Sequence, residues 1–320
     1  MAGNSESKDI KLTRIYDAPL KSVWDAWSDP KELEGWWGPR GFSITNQAKE
    51  LRLGGQWRFI MHGPNKVDYP NVITYVEVTP GKRLVYDHGS PEAPEPAFRT
   101  TVDFTTQDHG KTRMDLTMTL PSIEAANATR KIIKEMGGET TWDRLGEFLA
   151  AKLSGREQFM INRSFEVSLP KMFEVWTDPK HLSTWLAPVG ATINFLRADI
   201  RQGGGNFYVM TMQNGGKMYG KSSYIAIDPP SFLEYTQQFC DEHERAVRHP
   251  MSPTWPLIMK TAVNFSSESE GRTRICLIWE PYGQTPPEEI ATFVSGRAGM
   301  TQGWTGSFDK LAAYLQTRPT

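Results

Sequence analysis

The sequence has few cysteines and almost no excess charge of either sign. Its 320 residues include two cysteines, Cys240 and Cys276, and its 36 basic residues stand against 37 acidic ones. Two thiols cannot supply the several disulfides that hold small secreted domains together, so we expect both to stay reduced. A net charge of −1 provides no polycationic surface for a phosphate backbone. These deficits argue against a disulfide framework and against binding to nucleic acids.

Long apolar runs are missing as well. No apolar stretch approaches the roughly 20 residues that a membrane-spanning helix needs. The amino-terminal sequence MAGNSESKDIK contains no apolar segment of the kind found in secretory signals. We therefore expect no membrane insertion and a cytoplasmic location.

The sequence also lacks the signatures of common catalytic and cofactor chemistry. It contains no G-x-S-x-G motif, no P-loop and no dinucleotide fingerprint, and the glycines at 203–205 precede a predicted strand. Residues 240–250, which include His249, show no spacing typical of metal ligands and are interpreted as a solvated loop. His62 and His88 offer acid–base chemistry only if they face a cavity. We predict no metal, no cofactor and no catalytic residue.

What the sequence does contain is a long internal repeat. The sequence RIYDAPLKSVWDAWSDP at residues 14–30 returns as RSFEVSLPKMFEVWTDP at residues 163–179. A repeat of this length indicates a duplicated domain and not a solenoid. We place the first domain at residues 1–153 and the second at residues 154–320, joined by a short link.

Each copy shows the same order of predicted elements. An alternating strand is followed by two short helices, six strand-like segments and a long closing helix. The first closing helix is predicted from Ser122, with a glycine pair at 137–138 as a possible kink. The second is predicted from a capping box at residues 285–288. Antiparallel strands with helices at the ends predict the α+β class.

The repeated sequence resembles a known superfamily. Both copies contain the pattern [AV]-W-[ST]-D-P-K-x-L-x-x-W, followed by a glycine-containing strand, an L-x-Y strand and a final helix. This is similar to the SRPBCC superfamily, also called START-like or helix-grip, and within it to the group related to activators of the heat-shock chaperone ATPase. The resemblance implies two domains. In each, a curved antiparallel seven-stranded sheet grips a long C-terminal helix, and an apolar cavity lies between the sheet and the helix. Lipid-transfer domains, hormone receptors and aromatase/cyclases share this fold, so the fold alone leaves the function open.

Aromatic residues, methionines and glycines are the candidates for a ligand-binding role. Such side chains are equally typical of an ordinary core, and that alternative stays open. Glycines on the second closing helix either let it approach the sheet or leave volume for a ligand. Because the first domain has fewer such glycines, we favour the second as the ligand site. The candidates are Trp36, Trp37, Tyr75, Tyr86, Trp185, Tyr208, Met210, Met212, Tyr224, Tyr235, Trp279, Gly299, Gly303 and Trp304.

The function that these patterns favour is binding or sequestration of an apolar small molecule, without catalysis, by a monomer or homodimer. One alternative is an enzyme of the cyclase/aromatase or hydrolase kind, which needs an acid and a base together in the cavity. Another is a protein-interaction or chaperone-associated stress module, which needs an exposed apolar or charged patch. A tyrosine-lined cavity without an acid–base pair would favour the first of the three.

Overall fold

Two units with the same order of elements follow each other along the chain in the computed structural model, which describes residues 7–93, 95–135 and 139–317. The chain divides into residues 1–156 and 157–320. Each unit begins with a strand, continues with two short helices and six further strands, and ends in helices. Within the described ranges, no helix combines the length and the apolar character that crossing a bilayer requires.

The first unit contains one antiparallel sheet of seven strands. The strands are β1 (Asp9–Tyr16), β2 (Ser43–Lys49), β3 (Gln56–His62), β4 (Asp68–Thr79), β5 (Arg83–Gly89), β6 (Phe98–Thr106) and β7 (Thr112–Thr119). They lie in the order β1-β7-β6-β5-β4-β3-β2, so that the first strand pairs with the last. The helices are α1 (Leu20–Ser28), α2 (Pro30–Trp36), α3 (Ile123–Glu135) and α4 (Thr140–Ser154).

The second unit repeats this arrangement. Its strands are β8 (Phe159–Phe165), β9 (Ala191–Ala198), β10 (Gly205–Met212), β11 (Lys217–Asp228), β12 (Phe232–Cys240), β13 (Met259–Ser269) and β14 (Arg272–Pro281), in the order β8-β14-β13-β12-β11-β10-β9. Its helices are α5 (Leu169–Thr177), α6 (Pro179–Trp185), α7 (Pro287–Ser295) and α8 (Arg297–Gln316). The predicted α+β fold with a seven-stranded antiparallel sheet in each half is confirmed.

An aspartate and a proline fix the turn between the two short helices of each unit. The carboxylate of Asp29 accepts a hydrogen bond from the backbone N–H of Lys31, and Asp178 accepts the equivalent bond from Lys180, both at 2.8 Å. The proline that follows each aspartate is the first residue of the next helix, where a missing N–H breaks no helical hydrogen bond. This local structure agrees with the helix start predicted from the sequence.

The closing helices differ from the prediction of one long helix in each copy. In the second unit the helix is divided at Gly296, and α7 begins after Pro286 without a side-chain cap, so the predicted capping box does not form. In the first unit α3 ends at Glu135 and α4 begins at Thr140. The glycine pair at 137–138 lies outside the described residues.

The two sheets share a register that allows their inner faces to be compared residue by residue. Tyr75 of β4 lies opposite Tyr86 of β5, and Tyr224 of β11 lies opposite Tyr235 of β12. A β-bulge follows directly after Tyr75 and after Tyr224. Because a bulge bends its strand, both sheets bend at the same point.

Candidate functional site

The second unit contains a cavity of about 350 Å³, partly open to solvent, between its sheet, helices α6 and α8, and the connection between β12 and β13. This volume falls in the size range of small-molecule sites in proteins. Side chains of the sheet form one wall of the cavity. They alternate along each strand and lie opposite one another on neighbouring strands.

Two rows of opposed residues cross the inner face of this sheet. We call the first the tyrosine row, which consists of Tyr224, Tyr235, Thr261 and Trp279. We call the second the amide row, which consists of Asn206, Ser222, Gln237 and Met259. Both rows run across neighbouring strands, and of their eight members all but Thr261 line the cavity. The wall therefore places a polar band between apolar and aromatic groups.

The amide row is held in place by hydrogen bonds at one end. The side-chain N–H of Asn206 donates to the hydroxyl of Tyr224 at 2.8 Å, and its carbonyl oxygen accepts from the backbone N–H of Asp199 at 3.3 Å. At the other end, the side-chain amide of Gln237 forms no hydrogen bond with any residue that the structure describes. Gln237 is thus a polar group of the wall that a ligand can still use.

Beyond the amide row, Tyr208 lies over a glycine. Tyr208 of β10 is opposite Gly220 of β11, and a Cβ atom at position 220 would overlap the phenol ring. Only glycine leaves the ring this space, so Gly220 positions Tyr208 against the cavity. Met210 and Met218 form the next opposed pair and supply flexible apolar surface.

The cavity tyrosines stay protonated at neutral pH. Burial raises the pKa of Tyr208 and of Tyr224 well above the ordinary value, and raises the pKa of Tyr235 to about 12. Each phenol is therefore a neutral group that can donate a hydrogen bond as well as accept one.

Helix α8 closes the cavity with four residues on one face. Met300, Gly303, Trp304 and Ser307 follow the i, i+3, i+4, i+7 spacing that places side chains on one side of a helix, and all four line the cavity. The ring of Trp304 stacks at 6.3 Å on that of Trp176 from α5.

The glycines of α8 have different surroundings. A Cβ atom at Gly303 would meet nothing within 4 Å, so this glycine leaves open volume at the cavity wall. Gly299 also faces open space, but it is exposed to solvent and lies outside the lining. Gly306 approaches Val189 so closely that a Cβ atom would overlap it. Gly303 thus agrees with the explanation of open volume, whereas Gly306 lets the helix approach Val189 in the turn before β9 and not the sheet itself.

We call residues 241–258, the connection between β12 and β13, the cover segment. The first unit has only residues 90–97 at this place, so the cover segment is an insertion. It contributes His249, Trp255 and the two residues after Trp255 to the cavity lining. The interpretation of residues 240–250 as a solvated loop is therefore wrong at His249.

Three contacts attach the cover segment to helix α7. Arg248 forms an ion pair with the buried Glu289 at 2.5 Å. The hydroxyl of Thr292 donates to that of Thr254 at 2.8 Å. The ring of Trp255 lies 5.9 Å from a phenylalanine ring of the same helix. These contacts hold the cover segment against α7.

Charge is scarce in this lining. Among the described residues that line the cavity there is no aspartate, glutamate, lysine or arginine. His249 is the only imidazole of the lining, and burial lowers its pKa. Its Nδ1 accepts a hydrogen bond from the backbone N–H of Met251 at 3.1 Å, so the neutral ring carries its proton on Nε2.

The first unit carries larger side chains at the corresponding positions of its sheet. The counterpart of the amide row, by strand pairing, is Trp57, Ile73, His88 and Phe98. Trp57, Ile73 and Phe98 of this row are larger than their counterparts. In addition, Trp37 stands where the second unit has Leu186, and Lys49 stands where it has Ala198. Trp57 and Ile73 are at most 2 % exposed.

The four candidates of the first unit belong to this aromatic core. Trp36, Trp37, Tyr75 and Tyr86 are no more than 5 % exposed. The rings of Trp37 and Trp57 lie 4.9 Å apart, in an edge-to-face arrangement. The structure thus packs these four side chains against other protein groups.

Lys49 is enclosed by the same aromatic groups. Its Nζ lies 4.7 Å from the ring centre of Trp57 and donates to the hydroxyl of Tyr75 at 2.5 Å. No carboxylate in the described part of the chain pairs with it, and burial lowers its pKa to about 7. Lys49 therefore occupies volume in the core of the first unit, and the burial of its ammonium group carries a desolvation cost.

We expect the stability of the first unit to depend on pH through His88. Burial lowers the pKa of His88 from 6.5 to about 4, and its Nε2 donates to Asn71 at 2.8 Å. Between these pH values the unfolded chain binds a proton that the folded unit does not, so stability falls as the pH falls from 6.5 to 4, by up to about 3 kcal/mol.

The substitution His88→Gln, which copies the residue of the second unit, should remove this part of the pH dependence. The measurement is urea unfolding at pH 7, 5.5 and 4.5, followed by hydrogen exchange in peptides of the first unit. An unchanged pH slope in the variant would show that His88 is not the titrating group.

Seven of the fourteen candidates line the cavity, namely Tyr208, Met210, Tyr224, Tyr235, Trp279, Gly303 and Trp304. Trp185 is fully buried and donates to the backbone oxygen of Val175, while Met212 lies at the end of β10 outside the lining. The sequence interpretation missed Asn206, Gln237, His249 and Trp255. The insertion that carries the last two is visible as a length difference between the copies.

Comparisons with known proteins identify one matching family. The sequence profile described as activator of Hsp90 ATPase homolog 1-like protein matches residues 17–153 and again residues 166–316. No curated protein matches this sequence significantly.

Several solved structures are similar to this chain. A crystal structure of a Nitrosomonas europaea protein is 25% identical, covers 45% of this chain and 95% of its own, and has a TM-score of 0.41. A solution structure of an Arthrobacter aurescens protein is 24% identical, covers 51% and 88%, and has a TM-score of 0.43. The di-domain ARO/CYC BexL from the BE-7585A biosynthetic pathway is 10% identical, covers 97% and 99%, and has a TM-score of 0.37.

Proposed function

This chain belongs in both halves to the family of activator of Hsp90 ATPase homolog 1-like proteins, and we propose that its second unit, which contains the cavity, binds and sequesters an apolar small molecule. The observation that carries this proposal is the cavity of about 350 Å³. The first unit has the same strand order and carries larger buried side chains, Trp57 among them, at the corresponding positions. The proposal is therefore confined to the second unit.

The expected affinity follows from the apolar area that a ligand can bury. About 300 Å² of apolar ligand surface, at roughly 25 cal/mol per Å², contributes about 7–8 kcal/mol before the cost of association. Micromolar binding requires about 8 kcal/mol net. Polar contacts with the amide row and the tyrosines are therefore needed to reach micromolar affinity.

The lining supports retention of a ligand more than its conversion. General acid–base catalysis needs two proton-transferring groups that converge on the substrate. The described lining offers His249 and phenols whose pKa is raised by burial, with no carboxylate beside them. This composition favours the binding function over the cyclase or hydrolase alternative.

Native mass spectrometry of the full chain tests the proposal. We expect the freshly purified protein to carry, or to accept on addition of the neutral dye Nile red, one apolar molecule per chain, because the first unit is filled. Extraction under denaturing conditions then identifies any natural ligand. Two bound molecules per chain would contradict the assignment to one unit, and no binding of Nile red at concentrations of about 100 μM would contradict the binding function.

A further inference from the structure

The cavity of the second unit also constrains the chemical class of its ligand. We infer that it selects uncharged molecules that carry a hydroxyl or carbonyl group, and rejects the carboxylates of the same skeleton. This inference rests on the proposed binding function. It adds a discrimination by charge that the apolar character of the cavity does not by itself require.

The first argument is the absence of a countercharge in the lining. An ion that leaves water for a poorly solvated site loses free energy unless an opposite charge or several hydrogen bonds compensate it. The described lining contains no lysine or arginine. Three cations on the surrounding elements are engaged elsewhere, since Arg248 pairs with Glu289 and Lys260 with Glu280, while Lys310 donates to the backbone oxygen of Ala187.

The second argument comes from the position of Lys49 in the first unit. Lys49 extends from β2 toward the hydroxyl of Tyr75, inside the aromatic core. By strand pairing, the second unit has Ala198 at this position and Tyr224 in place of Tyr75. The second unit therefore lacks the cation that the first unit places beside this tyrosine.

The third argument is the effect of burial on the ionisation of the cavity tyrosines. Burial raises the pKa of Tyr208 and Tyr224, which means that a phenolate is disfavoured at both positions. The carboxylate of a ligand would meet the same unfavourable environment. A neutral oxygen would instead accept a hydrogen bond from a phenol that keeps its proton.

The hydrogen-bonding groups that a ligand can use lie together on the sheet. The Gln237 amide and the Tyr208 hydroxyl line the cavity and have no partner within the described residues. The Tyr224 hydroxyl accepts from Asn206 and retains its own proton. An amide and two phenols can form hydrogen bonds with a hydroxyl or a carbonyl group of a ligand. Neither ligand group needs a net charge for this recognition.

Three anthracenes of one skeleton test the inference with the full chain. They are 9-methylanthracene, 9-anthracenemethanol and anthracene-9-carboxylate, and their own fluorescence reports binding at pH 7.5. We expect the alcohol to bind about 3- to 10-fold more tightly than the hydrocarbon, and at least about 30-fold more tightly than the carboxylate.

Two variants separate the causes of this order. Gln237→Leu should reduce the affinity for the alcohol to that for the hydrocarbon, whereas Thr236→Val, on the same strand but outside the lining, should leave both unchanged. Ala198→Lys should restore the inward cation and bring the affinity for the carboxylate to within about threefold of that for the alcohol.

The outcomes distinguish the inference from the function on which it rests. Equal binding of the alcohol and the carboxylate by the wild-type protein would overturn the selectivity and leave the binding function intact. Binding of none of the three would overturn the binding function itself, because the neutral anthracenes are smaller than the cavity of about 350 Å³.

Discussion

Gly303→Leu should abolish ligand binding by the second unit without weakening its fold. The missing Cβ of Gly303 faces open space at the cavity wall, so a leucine side chain would occupy volume that the ligand needs. We expect the affinity for Nile red to fall at least about 30-fold. Because leucine forms helices more readily than glycine, the free energy of unfolding should rise by roughly 0.5–1 kcal/mol.

The matched control for this experiment lies one helical turn away. Gly299 belongs to the same helix and also faces open space, but it is exposed and does not line the cavity. Gly299→Leu should therefore give the same gain in stability and unchanged binding. Fluorescence titration and urea unfolding of the two variants, side by side, provide the comparison. Equal binding by both variants would place the ligand outside this cavity.

Among substitutions that replace a residue of the first unit with its counterpart in the second, Trp57→Asn should be the most destabilising. Trp57 is 2 % exposed, packs on Trp37 at 4.9 Å and donates to Asn46 at 2.7 Å. Its replacement removes this packing, leaves a void and buries an amide. Losses of this kind cost about 3–5 kcal/mol. Hydrogen exchange, followed by mass spectrometry of peptides from β1 to β7, measures the effect in this unit alone.

The neighbouring residue supplies the control. Arg58 lies on the same strand with an exposed side chain, so Arg58→Asn should change the stability by no more than about 0.5 kcal/mol. A similarly small effect of Trp57→Asn would mean that the first unit is not held together by its filled interior.

The repeated sequence predicted the fold well because its signals are local. The Asp-Pro turn after each tryptophan helix and the alternation along each strand depend on residues near in sequence. The exception was the closing helix. Its division lies at Gly296, where a Cβ atom would come within 3.3 Å of the ring of Trp255, a proximity that a periodic pattern does not reveal.

The site was predicted less completely because a cavity depends on which residues face each other across strands. Tyr224 and Tyr235 could be chosen as aromatic residues in predicted strands. Asn206 and Gln237 lie two residues from Tyr208 and Tyr235, on the same face by strand alternation, but the sequence interpretation missed them because a polar residue in a strand is ordinarily assigned to the solvent face. Only the register shows that they share one row with Met259 inside the sheet.

The cross-strand rows have a consequence for how related proteins are sorted. Both halves of this chain match one family profile, although the inner faces of their sheets carry different side chains. The difference is concentrated in the amide row, where three small or polar residues replace a tryptophan, an isoleucine and a histidine. Membership of the family is therefore compatible with very different side chains at these positions. If the proposed binding holds, we expect three positions on neighbouring strands to distinguish a copy that binds a small molecule from one that does not.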